Sequence, residues 1–145
     1  MSDFQPRNPD WDARCRASLA AQPIVSALGM TIARLEPGLC EMHLPFRRDL
    51  TQQHGFFQAG VVAMLADNAG GYAAYSLMPA GMEVLAVEFK VNFMSPAKGE
   101  VMIARGRVLK SGRTLSVTAV EVFMRDEGRE TLVAAMQQTC MGIAA

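Results

Sequence analysis

From Val84 to Met94 the chain alternates. Val87, Phe89, Val91 and Phe93 take one side, and Glu88, Lys90 and Asn92 take the other. A period of two predicts a β-strand. Comparable alternation predicts strands at Met30 to Leu35, Leu39 to Pro45, Glu100 to Leu109, Arg113 to Met124 and Glu130 to Met141. In Leu39 to Pro45, Cys40, Met42 and Leu44 share a face, with Glu41 and His43 opposite. Turn residues stand between the strands: Pro37-Gly38, Pro96 to Gly99, Ser111-Gly112 and Asp126-Glu127-Gly128. Links this short join antiparallel neighbours.

Between the second and third strands the period changes. Ala59 to Ser76 contains no proline, and Ala59, Ala63, Ala66, Gly70 and Ala73 recur at helical spacing as one nearly flat face. Val61, Val62, Leu65 and Tyr72 supply bulk on the other faces. Gly60, Gly70 and Gly71 would each cost about 1 kcal/mol against alanine in a water-exposed helix. The segment therefore reads as an enclosed helix with other backbone packed against its small face. Its one charge is Asp67.

The N-terminal part is less regular. Residues 1–9 read as a loose arm, with Pro6 and Pro9 opposing a helix. Asp10 is placed to cap a short helix with Trp11, Cys15 and Leu19 on one side, and a second short helix runs Pro23 to Leu28, closed by Gly29. The expected organisation is an arm and short helix over residues 1–22, then a single domain over 23–145. It is α+β: an antiparallel sheet of about six strands wrapped around one long central helix. One sheet on one helix leaves a sheet edge and a helix side open, so two subunits are expected to pair.

Composition removes several classes. The chain has 145 residues, half of them hydrophobic, and 14 basic residues balance 14 acidic ones. Nothing in that balance points to nucleic acid. No apolar run is long enough to span a membrane, and the polar N-terminus lacks a secretory apolar core. Three cysteines without metal-type spacing suit a reducing cytoplasm, and no metal site is expected.

Two motifs carry a resemblance. The stretch from Gln52 to Asp67 resembles the active-site segment of PaaI-like (phenylacetate-pathway-type) acyl-CoA thioesterases, Asn-x-x-Gly-x-x-His-Gly-Gly followed by an acid within the helix. Gln52, Gly55, Gln58, Ala59 and Gly60 stand at the motif positions, with Asp67 in the acid's place. VEFKVNFMSPAKGE, Val87 to Glu100, is similar to that family's third strand and turn, and VLKSGRTLSV, Val108 to Val117, to its next hairpin. The resemblance covers residues 25 to 143 and implies the hotdog fold. It also implies hydrolysis of an acyl-CoA thioester to free acid and coenzyme A, with no cofactor beyond the coenzyme A of the substrate. The implied assembly is a homodimer that pairs again as a dimer of dimers.

The resemblance assigns roles residue by residue. Asp67 acts as general base on water or attacks the thioester carbonyl itself. The helix start, with the N–H groups of Ala59 and Gly60, supplies the oxyanion site. Gln52 replaces the usual Asn, Gln58 the usual His and Ala59 the first Gly; Ala86 lies near a position where some members hold water with Ser or Thr. His54 offers an imidazole at a different position, to place substrate or water. Phe56 and Phe57 are placed to line an acyl tunnel, and Gly55 beside them is expected at the substrate-binding loop. Arg47, Arg48, Lys98, Lys110 and Arg113 fall in loops and turns where coenzyme A phosphates would meet them.

Geometry adds a constraint that owes nothing to the family. Asp67 lies eight residues beyond Ala59, about 12 Å along a helix axis. It does not reach a carbonyl held at its own helix's start. If both serve one site, they come from two chains whose central helices run side by side in opposite directions. Two other readings remain open: a hotdog module that binds acyl-CoA or serves as a structural partner without hydrolysis, which Gln58 and Ala59 keep open, and a hydratase or dehydratase. The latter needs a catalytic histidine beside an acid, and the chain has only His43 and His54.

Overall fold

The alternating segments form one antiparallel sheet. In the computed structural model, which describes residues 3–145, the strands are β1 (Thr31–Glu36), β2 (Leu39–Pro45), β3 (Met82–Phe93), β4 (Val101–Ser111), β5 (Leu115–Asp126) and β6 (Arg129–Ala144). Their order across the sheet is β1-β2-β4-β5-β6-β3. Two short helices, α1 (Trp11–Ala20) and α2 (Pro23–Leu28), precede them, and the long helix α3 (Ala59–Tyr75) connects β2 to β3.

The inner face of the sheet is the apolar half of the alternation on β2, β4 and β5. Cys40, Met42 and Leu44 on β2, Met102 and Ala104 on β4, and Val120 and Val122 on β5 are all buried. They close on α3, whose small residues let backbone meet backbone. Gly106 of β4 lies against Ala69 and Gly70; a Cβ there would stand 2.5 Å from the Ala69 carbonyl oxygen. The packed face is Ala66, Ala69, Gly70 and Ala73. Ala69 thus joins the expected set, while Ala59 is exposed and Ala63 only half-buried, because the first turn of the helix is left uncovered.

The loose arm expected over residues 1–9 is corrected for its described part. Phe4 packs on the core and Asn8 is buried. The physical reason lies at the far end of α3, which carries no basic residue in its last turn. Its terminal carbonyls need donors from elsewhere. Arg14 donates to Tyr75 O, the last of α3, at 3.0 Å and, in the turn beyond it, to Met78 O and Pro79 O at 2.8 and 2.6 Å, while Arg7 donates to Leu77 O of that turn at 2.9 Å. The Arg14 guanidinium also lies 4.2 Å over the Tyr75 ring. Asp10 precedes α1 as expected, but its side chain makes no capping bond; Asn8 Oδ1 instead accepts from the Asp10 N–H at 3.0 Å.

The two sheet edges differ. β1 has six residues and an irregular register between Ile32 and Arg34. β3 has twelve, and its alternation yields no buried face within the chain: Leu85, Val87, Phe89 and Phe93 are 53, 56, 46 and 50% exposed. Among the described residues, no helix is long and apolar enough to cross a membrane.

Candidate active site

The loop before α3 is built to deliver the helix start. Gln52 N–H donates to Phe56 O at 2.9 Å, and the Gln52 side-chain oxygen accepts from the His54 N–H at 2.5 Å. Gly55 sits at φ +81°, a left-handed conformation that glycine adopts without strain. Phe57 N–H donates to Ala97 O at 2.8 Å, and the Phe57 ring meets Phe46 edge-on at 5.1 Å. Gln58 thereby arrives as the N-cap of α3, where its side-chain oxygen accepts from the Gly60 N–H. That donor is therefore occupied. Among the described residues, nothing accepts from the Ala59 N–H, the first of the helix. Ala59 lines a mostly apolar cavity of about 400 Å³, with Gln52, Phe56, Phe57, Phe93 and Met94 among its other residues.

Asp67 lies two turns further along α3 and faces a different cavity. That space, about 330 Å³, is lined by Asp67, Asn68, Tyr72, Glu83, Ala86 and Gln138 among others. Gln138 of β6 donates its Nε2 to Asp67 Oδ1. Burial pushes the Asp67 carboxyl above the usual carboxylate range, and the Gln138 bond opposes that rise. The neighbouring polar groups are tied to one another. Gln22, which precedes α2, donates to Asn68 Oδ1 at 3.1 Å and to the Tyr72 hydroxyl at 2.8 Å, and Ser18 of α1 pairs with that hydroxyl at 3.1 Å. Tyr75 donates to Glu83 at 2.9 Å. A desolvated carboxylate held at one oxygen, opening on a cavity, is suited to take a proton from water or to attack a carbonyl.

The expected site residues thus separate into two groups. Gln52, Phe56, Phe57 and Ala59 share the first cavity, with Gly55 shaping the loop behind it; Asp67 and Ala86 share the second. Gln58 and Gly60 are exposed beside the first. His54, Lys98, Lys110 and Arg113 are exposed and line neither cavity; Lys98 follows Ala97 of the first, and Lys110 and Arg113 sit at the β4–β5 hairpin. Within one chain the helix start and the carboxylate do not meet.

Sequence reasoning missed Gln138, Thr118, Asn68, Ser18 of α1 and Gln22 at the start of α2. A signal existed for two of them. On β6 the buried positions run Ala134, Met136, Gln138, Cys140, and on β5 they run Ser116, Thr118, Val120, Val122. A polar residue with branched or long reach on an otherwise apolar inward stripe asks for a partner. The partner itself, far away in sequence, is not readable from the pattern.

The comparisons with known proteins agree with one another. Residues 54–131 match the thioesterase superfamily. A thioesterase family protein from Silicibacter pomeroyi is 44% identical, with a TM-score of 0.91 over 93% of this chain and 99% of that one. The human protein named acyl-coenzyme A thioesterase 13 is 30% identical over 118 residues, 79% of this chain and 82% of the relative. The PaaI protein of the E. coli phenylacetic acid degradation operon shares the fold, with a TM-score of 0.85 at 19% identity.

Proposed function

The chain belongs to the thioesterase superfamily, a hotdog-fold thioester hydrolase, and from that premise we propose that it cleaves acyl-CoA at a site completed by two copies of itself. Asp67 of one subunit serves as general base on water or as nucleophile toward the thioester carbonyl. The Ala59 N–H of the other, at the positive end of α3, receives the developing oxyanion. Gln52, whose side-chain oxygen is engaged by His54 N–H, has its Nε2 left as a further donor at that end. Coenzyme A leaves with the thiol proton, the acid leaves as carboxylate, and no other cofactor takes part.

The observation that carries this reading is the position of the two cavities along β3. The Asp67 cavity is lined by Glu83 to Ala86 at the beginning of the strand, and the Ala59 cavity by Phe93 and Met94 at its end. β3 is an open edge with exposed apolar side chains. Antiparallel pairing of two β3 strands about their middle, near Val87 and Glu88, extends the sheet through both subunits. It also sets the end of one β3 against the beginning of the other. The Asp67 cavity of each subunit then adjoins the Ala59 cavity of its partner. The separation of about 12 Å that forbids a one-chain site becomes the reason for a two-chain one.

Complementation tests it. Asp67→Ala disables the base in both sites of its homodimer. Ala59→Pro removes the N–H at a first-turn position where proline is tolerated. Subunit exchange between the two inactive variants yields about half heterodimers, each with one doubly damaged and one intact site, so about a quarter of wild-type thiol release is expected. Verified heterodimers without recovered activity would exclude the shared site.

A further inference from the structure

The hydrolysis reading leaves Gln138 without a role. It is only 1% exposed, an amide on a stripe of β6 otherwise made of Ala134, Met136 and Cys140. Burying an amide is unfavourable unless both of its ends are bonded. Both are. The Gln138 oxygen accepts from the Thr118 hydroxyl of β5 at 3.3 Å, and Thr118 is itself fully buried. The Gln138 nitrogen donates to Asp67 Oδ1 and approaches the Asp67 backbone carbonyl at 3.4 Å. A carboxylate only accepts, so an amide held at its oxygen by a hydroxyl donor presents the end that Asp67 can use.

Room for this arrangement is made on α3. A Cβ on Gly70 would collide with the Gln138 oxygen and stand 2.8 Å from Thr118 Oγ1. The glycine that weakens the helix is therefore the one that admits the amide. Three elements, α3, β5 and β6, converge on one carboxylate oxygen.

We propose that Gln138, latched by Thr118 and admitted by Gly70, is a positioning residue that fixes Asp67 Oδ1 and leaves Oδ2 to face the reacting atoms. This rests on the reading of Asp67 as the reacting carboxylate. The choice of an amide has a chemical rationale. A lysine or arginine at the same place would hold the carboxylate equally well but would drain its basicity. An amide supplies direction with no full charge, so the carboxylate stays basic through burial while losing its rotational freedom.

The test uses Gln138→Leu, similar in size but without the N–H, and Thr118→Val, which keeps the amide and removes its latch. Gln138→Leu is expected to lower kcat by about tenfold to a hundredfold, the range that follows from loss of catalytic alignment, with KM changed less than about twofold. The acid limb of its kcat profile is expected to move to higher pH, because the lost donor favoured the charged carboxylate. Thr118→Val is expected to shift both quantities in the same direction by less, and it carries the test if Gln138→Leu does not fold. In an Asp67→Asn background, Gln138→Leu is expected to add nothing. Wild-type kcat and an unmoved acid limb in the folded variants, with Asp67→Ala inactive, would overturn the positioning role alone. Wild-type turnover in Asp67→Ala would instead overturn the reading of Asp67 on which it rests.

Discussion

The first turn of α3 and the turn that carries Asp67 belong to one helix and meet opposite surroundings. Gln58, Ala59 and Gly60 are exposed, and the helix start is closed only by its own N-cap, leaving the Ala59 N–H open. Asp67 is half-buried against β6, held by Gln138 and flanked by polar groups that bond one another. The difference shows how the two kinds of group that the proposal pairs are prepared. A backbone N–H is a donor in any environment and needs only to be reachable. A carboxylate in water is a weak base, so it has to be desolvated and oriented before it becomes useful. Within one chain the two ends line separate cavities, Ala59 the first and Asp67 the second.

The enclosed end is the more costly to break. Asp67→Ala is expected to lower thioester hydrolysis by at least about a hundredfold, the scale of a lost general base, in an assay of free thiol release. The fold should survive it. Asp67→Asn should be as inactive and, at neutral pH, more stable than wild type. Burial raises the carboxyl's folded-state pKa above its unfolded value, so the folded state holds the proton more tightly and ionisation costs stability as pH rises through that folded value. Thermal melts should therefore show an advantage for Asp67→Asn at neutral pH that vanishes below the ordinary aspartate value of 3.8. An equal advantage at both pH values would contradict burial as the cause.

The next effect separates the two ends from each other rather than damaging either. Val87 is 56% exposed near the middle of β3. Val87→Lys would place two lysines close together across the proposed subunit pairing, where like charges repel. Sedimentation should show the smaller species, and activity per chain at low protein concentration should fall about tenfold or more, recovering as concentration drives reassociation. Undiminished activity in a verified monomer would make each chain sufficient for its own site.

The smallest effect belongs to the open end. Gln58→His removes the bond from the Gly60 N–H and so frees a second donor beside that of Ala59. Activity is expected to hold or rise. A loss beyond about tenfold, or 1.4 kcal/mol of barrier, would mean that the Gln58 cap is itself needed to present the Ala59 donor.

Much of the architecture is legible because it is local. β2 spans Leu39–Pro45 and α2 spans Pro23–Leu28, as alternation and punctuation predict, and Gly29 ends α2 at φ +80°. These depend on periods of two and 3.6 and on turn chemistry within a few residues. The helix that carries Asp67 is legible for the same reason, from its small residues and its single charge. What escaped prediction is long-range. Gln138 and Asp67 are 71 positions apart, and Arg14 lies 61 to 65 positions from the carbonyls it closes.

By itself the sequence determined the elements, their order, the close backbone packing asked for by Ala66, Gly70 and Ala73, and the candidate acid Asp67. It also determined that Asp67 and the helix start are too far apart to share one chain's site. Only the tertiary structure decided that Gly70 faces the Gln138 amide, that Gly60 is already engaged by Gln58, and that the apolar residues of β3 are left uncovered. The physical reason is the range of the forces involved. Hydrophobic periodicity and turn propensity are set by neighbours along the chain, whereas a buried hydrogen bond or an open edge exists only once distant strands have been laid side by side.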